Sequence, residues 1–383
     1  MPTVSVPRIP AKNAGHATAK RTSLRASETS SGLLDAREFH LRPLQVTWEV
    51  TKECDWKATH AGTSPRWLRL RHGLSTAEAF HLVDEVAEMH VPLLALTGGD
   101  PLLRPDLLPI VCYAAQRSVR TSLTALPTTL LTREVIFELK QCGLMRIAFW
   151  LHGSTPQLHD SYWHVPGSHR RTLEAIGWCH EAELPVQINT TIARRNVHDL
   201  DPIVDALTRL DVVLWNVFFV VPASSEQAGQ MLSAGEHEET FNRLYRASRR
   251  VPFQIKTTEG QHYQRYLLQQ SASESRRNLT EADLNPCTPK GVNDAKGFVF
   301  VNRDGEVYPS RFLPLSAGNI TTESLASIYG ESPLFVTLRD SSKLKGKCGR
   351  CSMRSVCGGS RARAYAITGD LLAEDPSCAY LPQ

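Results

Sequence analysis

The chain has 383 residues, 42% hydrophobic and 21% charged, a balance that allows a sizeable core and excludes the disordered, collagenous and low-complexity classes. Forty-three basic residues against 39 acidic ones leave a net charge of +4, too little to mark a nucleic-acid surface. No apolar run approaches the ~18 residues of a membrane span, so neither nucleic acid nor a membrane is an expected partner.

Residues 1–38 carry Arg8, Lys12, Lys20, Arg21 and Arg25 with no acid before Glu28, and read as a disordered basic tail. A transit peptide shares that composition, but early prolines and the lack of an amphipathic stripe argue against one. From Leu44 short β-branched or apolar runs alternate with helix-like stretches. The expected strands are Leu44–Val50, Leu93–Thr97, Thr121–Ala125, Met145–Leu151, Pro185–Ile192 and Leu214–Val221. Between them, Thr76–His90 places Ala79, Leu82, Val83 and Val86 on one helical face behind a Ser75/Glu78 capping box. Another helix stops at Cys142-Gly143. Six strand–helix repetitions predict parallel strands with right-handed crossovers, an α/β sheet or partial barrel over 39–222. In such folds ligands sit at the carboxyl ends of the strands, so the loops after Val50, Thr97, Ala125, Leu151 and Ile192 are the ones to watch. Residues 223–285 read as a polar helical linker, and GFVFVNRDGEVYP (297–309) as a β-hairpin turning at Asp304-Gly305.

Nine cysteines, an odd number, and no secretory signal point to a reducing compartment, the cytoplasm. Cys112, Cys142 and Cys179 are scattered through helix-like segments, whereas Cys348, Cys351, Cys357 and Cys378 crowd the end of the chain. A two-residue gap lets one turn present both sulfurs to the same centre, so these four thiolates can converge on one metal site. Gly349, Gly358 and Gly359 supply the backbone freedom that packing around it needs. Spacing alone leaves open an iron–sulfur cluster, a four-thiolate zinc site, or independent buried thiols.

Three further features coincide: Trp48-Glu49-Val50-Thr51 ending the first strand, then Cys54-Asp55-Trp56-Lys57-Ala58-Thr59-His60-Ala61, then Gly98-Gly99-Asp100-Pro101 closing the second. Together with the terminal cysteines they resemble the radical S-adenosylmethionine (SAM) superfamily, whose members carry CxxxCxxC after strand one and a GGE/D-P motif after strand two. The resemblance spans residues from about 44 to 382, and its terminal part looks like the SPASM/twitch extension. It implies a partial (β/α)6 TIM-like barrel followed by a cysteine-rich iron–sulfur domain over 286–383. It implies a [4Fe–4S] cluster that binds SAM and cleaves it reductively to a 5′-deoxyadenosyl radical. By the same resemblance Gly98, Gly99 and Asp100 take the methionine end of SAM, Asn189 and Thr191 the ribose or carboxylate. Cys348, Cys351, Cys357 and Cys378 would hold an auxiliary [4Fe–4S] cluster.

The departures matter as much. Cys54 stands at the first cluster position, but Ala58 and Ala61 stand at the other two and cannot ligate iron. Either the alanines were engineered or the lineage abandoned the reaction. Phe149-Trp150-Leu151-His152-Gly153, where relatives read Ser-Leu-Asp-Gly, favours divergence. Ser310 and Arg361 fall where a first auxiliary cluster would need cysteine, and Cys287, at an auxiliary-ligand position of relatives, is then an orphan thiol or else a spare ligand. The resulting expectation is a radical SAM/SPASM-type protein of a lineage acting on a peptide or tetrapyrrole-like substrate, impaired in radical generation. Such chemistry draws electrons from a donor such as a flavodoxin or ferredoxin. The competing readings are a non-catalytic homologue that binds a peptide or protein partner, and a zinc-stapled α/β protein.

Overall fold

The computed structural model describes residues 39, 42–52, 54, 73–275 and 293–382. The expected amino-terminal tail, Ala58, Ala61 and Cys287 lie outside the described residues. The six expected strands are present within a residue or two of their predicted limits: β1 Gln45–Thr51, β2 Leu93–Gly98, β3 Thr121–Thr124, β4 Arg146–Trp150, β5 Val186–Ile192 and β6 Leu214–Phe219. A seventh, β7 Gln254–Thr258, lies in the stretch read as a helical linker and pairs parallel to β6. It was missed because only one of its residues, Ile255, is apolar and buried. The hairpin forms as β8 Phe298–Val301 and β9 Glu306–Tyr308, and β10 is Gly318–Asn319. Its turn is fixed by Gly305 at φ +84° and by Asn302, whose Oδ1 accepts from the N–H groups of Asp304 and Glu306 (both 2.9 Å).

Among the described residues the ten strands form one sheet in the order β10-β9-β8-β1-β2-β3-β4-β5-β6-β7. β1 to β7 run parallel in chain order, as right-handed crossovers require. β8 adds parallel to the outer side of β1, with Gln45 opposite Phe298 and Trp48 opposite Val301. The carboxy-terminal extension is thus joined to the barrel by main-chain hydrogen bonds and not by a tether alone.

Thirteen helices accompany the described strands: α1 Thr76–Glu88, α2 Leu107–Gln116, α3 Arg133–Gln141, α4 Pro156–Trp163, α5 Ser168–Glu181, α6 Leu200–Arg209, α7 Ser225–Gly229, α8 Ala234–Ser248, α9 His262–Ser275, α10 Leu325–Glu331, α11 Pro333–Arg339, α12 Gly346–Arg350 and α13 Arg361–Thr368. The Ser75/Glu78 capping box of α1 is formed in both directions. α3 ends at Cys142, with Gly143 at φ +94°. That stop brings Cys142 beside α2, where the structure joins it to Cys112 by a disulfide. No local signal in the sequence marks this pairing, because nothing there shows that α2 and α3 are neighbours, and a disulfide departs from the reducing compartment expected from the cysteine count.

The strands alternate in a way that locates the functional face. Val46, Trp48, Leu94, Leu96, Leu123, Ile147, Phe149, Val186, Ile188, Trp215, Val217 and Val299 are fully buried and form the core beneath the helices. The intervening residues are less buried and mostly polar: Gln45, Thr47 and Glu49 on β1, Arg146 on β4, Gln187 and Thr191 on β5, Lys256 and Thr258 on β7. Fully covered parallel strands are apolar on both faces. A polar second face therefore marks the concave interior of an open barrel, wet enough for Gln187 Nε2 to reach Asn189 Oδ1 (2.7 Å) and Thr258 Oγ1 to reach Asn216 Oδ1 (3.0 Å).

Candidate functional site

Two groups of side chains gather at the carboxyl ends of the strands and beyond. The first is the barrel mouth. Gly98 ends β2 and Gly99 follows it, and the Gly99 N–H donates to Thr51 O (3.0 Å). A Cβ built on Gly98 would lie 2.5 Å from Thr51 Oγ1 and 2.7 Å from Thr51 O, so backbone, not side chain, must pass there. Gly98→Ala is accordingly expected to destabilise the fold by roughly 1–3 kcal/mol through overpacking, as a shift in the urea midpoint at unchanged slope. The Asp100 carboxylate is buried, accepting from Leu102 N–H (3.1 Å) and from Thr128 Oγ1 (2.7 Å). It caps the turn and ties β2 to the loop after β3.

Asn189 and Thr191 lie on the interior face of β5, with Trp150 of β4 opposite Asn189 in register. Both are heavily engaged. Asn189 O accepts from the Leu151 N–H (2.9 Å) and its Oδ1 from Gln187. The Thr191 N–H donates to His152 Nδ1 (3.2 Å), its carbonyl accepts from Asn196 Nδ2 (2.9 Å), and its hydroxyl bonds the Tyr162 phenol. The structure brings Gly98, Gly99, Asp100, Asn189, Thr191 and Cys54 to one end of the barrel, but it surrounds them with aromatic rings. His152 stacks on Tyr162 with centroids 3.5 Å apart, and the Arg195 guanidinium covers the same ring at 4.0 Å. Tyr162, Trp163 and Leu126 form a separate apolar cluster against which Cys54, Trp150 and Val165 pack. The sequence pointed to Trp150 and His152. It missed Tyr162, Trp163 and Arg195, because their place depends on how α4 and the loop after β5 fold over the strand ends.

His159, on α4, fixes that fold. Its Nδ1 accepts from the His152 N–H (3.2 Å), its Nε2 has no hydrogen-bond partner among the described residues, and burial with the neighbouring His169 pulls its pKa down to about 3. His237, buried against Phe219, is held down to about 4 by burial and by Arg363. Because the unfolded chain protonates histidine near pH 6.5 and the folded chain does not, stability is full above that value and falls as pH drops. His159 alone is expected to account for a loss of about 2 kcal/mol between pH 7 and pH 5. His159→Asn should flatten that part of the pH dependence of the denaturation midpoint.

The second group is the terminal thiol set. Cys348, Cys351, Cys357 and Cys378 line one pocket, with Lys347 and Arg354 at its rim. Gly358 and Gly359, both at φ +67°, carry the chain around it, and the Gly359 N–H points at Cys357 Sγ (3.4 Å). The Asp375 N–H and Arg361 Nη2 approach Cys348 Sγ at 3.4 and 3.9 Å. Burial raises the pKa of Cys348, Cys357 and Cys378 as free thiols, which a bound cation would reverse. Lys347 Nζ donates to Cys378 O (2.6 Å), clamping the last cysteine onto the first pair.

Behind the pocket, α13 carries a buried ionic network that sequence reading did not foresee. Arg363 Nε and Nη2 bind both oxygens of Asp375 (3.0 and 2.9 Å), and Nη2 also donates to Glu259 O (2.9 Å). Ser360 Oγ donates to the Glu259 carboxylate, whose pKa is raised by burial and by Asp294 nearby. Ser310 and Arg361, the positions lacking cysteine, meet the same group: Asp294 accepts from Ser310 and from the Ala362 N–H (3.1 Å), with Arg361 beside it. Hydrogen bonds and charge pairing thus occupy the neighbourhood of both residues.

Comparison with known proteins follows this geometry. A sequence model of the radical SAM superfamily matches residues 54–207, and the SPASM iron–sulfur cluster-binding domain matches 293–352. The second match ends between Cys351 and Cys357. The chain is 35% identical over 340 residues to the AdoMet-dependent heme synthase of Methanosarcina barkeri, covering 89% of this chain and 97% of that protein. It is 27% identical to the PqqA peptide cyclase of Bradyrhizobium diazoefficiens, covering 89% and 87%. Among solved structures, Streptococcus suis SuiB bound to S-adenosylmethionine superposes with a TM-score of 0.70 at 13% identity, covering 89% of this chain and 78% of that one.

Proposed function

Since the chain belongs to the radical SAM superfamily and carries its SPASM domain, we propose that it is an iron–sulfur protein holding one auxiliary [4Fe–4S] cluster on Cys348, Cys351, Cys357 and Cys378, in a lineage acting on a tetrapyrrole-like or peptide substrate and impaired in radical generation. The observation that carries the cluster assignment is the convergence of all four thiols on one pocket. Among the described residues no three His, Cys, Asp or Glu side chains are grouped to hold a single metal ion. The match to an iron–sulfur cluster-binding domain is what favours a four-iron cluster over a four-thiolate zinc site.

At the mouth the fit fails. Cys54 is one thiolate, and alanine stands at 58 and 61, so no step is assigned to a radical-generating cluster here. A heme synthase is the relative with 35% identity over nearly its whole length, which supports a tetrapyrrole-like substrate ahead of a peptide. Lys347 and Arg354 beside the thiols suit an acidic electron donor of the flavodoxin or ferredoxin kind. Among the described residues no helix is long and apolar enough to cross a membrane. Thiolate-held iron suits the cytoplasm. Anaerobically prepared protein is expected to be brown, with about four irons per chain, and to release no 5′-deoxyadenosine from SAM under reduction. Colourless protein with one zinc would overturn the cluster, and reductive SAM cleavage by the native chain would overturn the impairment.

A further inference from the structure

The interior face of the barrel is polar along its length, yet at the mouth it turns aromatic. Counting along the paired strands from Leu96–Leu123–Ile147 puts Gly99 level with Leu126, Trp150, Asn189 and Asn216, with Leu126 between Gly99 and Trp150. The Trp150 ring therefore projects from the row in which Gly99 and Asn189 stand. It packs against the Leu126–Tyr162–Trp163 cluster in company with Cys54, and its other side meets Phe218 of β6, centroids 4.9 Å apart. Phe218 in turn approaches Phe312 of the carboxy-terminal extension at 6.3 Å. Trp150 also lies 5.4 Å from His152, which is itself stacked on Tyr162. One indole thus links the residues that follow β1 and β3 to β4, β6 and, through Phe218, the extension.

We infer that Trp150 is the residue that restricts SAM binding: its indole, packed against the Leu126–Tyr162–Trp163 cluster and against Phe218, fills the barrel mouth in the row that holds Gly99 and Asn189, so the chain binds SAM weakly whether or not a cluster is present. This rests on the reading of the barrel as a radical SAM scaffold and adds a second, independent cause of impairment. The indole is held from both sides, by the Tyr162–Trp163 cluster and by Phe218, and swinging it out would expose several aromatic faces together. A small residue at 150 leaves the main-chain pairing of β4 with β5 unchanged, because the Leu151 N–H to Asn189 O bond is made by backbone.

The test is equilibrium dialysis of full-length, anaerobically prepared protein against labelled SAM. Trp150→Ser is expected to bind SAM at least tenfold more tightly than the native chain, while Trp150→Phe, which keeps an aromatic bridge, stays near native. Phe218→Ala, which removes one support of the indole, should tighten binding in the same direction and serves if Trp150→Ser does not fold. Equal affinity of Trp150→Ser and native protein would overturn the inference, as would equal tightening by serine and phenylalanine, or tight SAM binding by the native chain. Iron content is the separate readout. About four irons at the terminal thiols with unchanged SAM affinity sinks this inference alone, whereas absence of iron sinks the proposed function and leaves the affinity comparison standing.

Discussion

Replacing Asp375 by alanine is expected to cost about 3–5 kcal/mol of folding stability, because it leaves the Arg363 guanidinium charged, buried and without its counter-ion. Both side chains are fully buried. The carboxylate accepts from Arg363 Nε and Nη2 and also from the N–H groups of Ser360 (2.8 Å) and Ser377 (3.0 Å), and these bonds hold its pKa far below the usual aspartate range despite burial. The pair joins three parts of the molecule: α13, the segment that ends in Cys378, and the end of β7 through Glu259 O. The same substitution should therefore lower the iron retained at the terminal thiols, since Ser360 and Asp375 flank the loop carrying Cys357 and the return to Cys378. A double variant, Asp375→Ala with Arg363→Met, should recover part of the loss by removing the orphaned charge along with its partner. Thermal and urea unfolding, read beside iron content, check this. A loss for Asp375→Ala below about 1 kcal/mol would show that the network contributes no more than an exposed pair does.

Much of this molecule was legible before its structure. The alternation of β-branched runs with amphipathic stretches located β1 to β6, since a strand under helices must be apolar at every second residue. β7 was not legible. Its inward residues Lys256 and Thr258 are polar, and only Ile255 is both apolar and buried, so the stretch lacks the apolar alternation that located the other strands. The terminal thiols were legible from spacing, and of their three glycines Gly358 and Gly359 adopt the left-handed backbone whereas Gly349 lies in α12. The ionic network behind them was not. Arg361 and Arg363 look like the exposed face of a helix, yet they are buried, because their partners arrive from β7, the 293–294 turn and the segment at 375. Pairings between distant segments leave no local trace, and the Cys112–Cys142 bridge is a second case. The mouth was half legible: Trp150 and His152 stood out as departures from a motif, but the Tyr162, Trp163 and Arg195 that wrap them required the fold.

Restoring cysteine at Ala58 and Ala61 is expected to raise anaerobically reconstituted iron from about four to about eight per chain, the content of two four-iron clusters. Cys54 is half-buried at the mouth and packs beside Trp150 and Leu126, so two added thiols in the segment that follows would complete a set of three. The added cluster should show itself as a second reduced spin system by electron paramagnetic resonance. It need not restore chemistry. With Trp150 in place the double variant is expected to release little 5′-deoxyadenosine. Adding Trp150→Ser should raise that release by at least tenfold, because electron supply and room for SAM are then both present. The order of the two effects distinguishes the causes. Full SAM cleavage by the cysteine variant alone would assign the whole impairment to the missing ligands. Four irons in the cysteine variant, unchanged from native, would show that Cys54 is not disposed to share a cluster with residues 58 and 61. In that case the mouth has diverged in its backbone as well as in its side chains, and the barrel is better described as a binding scaffold than as a disabled reactor.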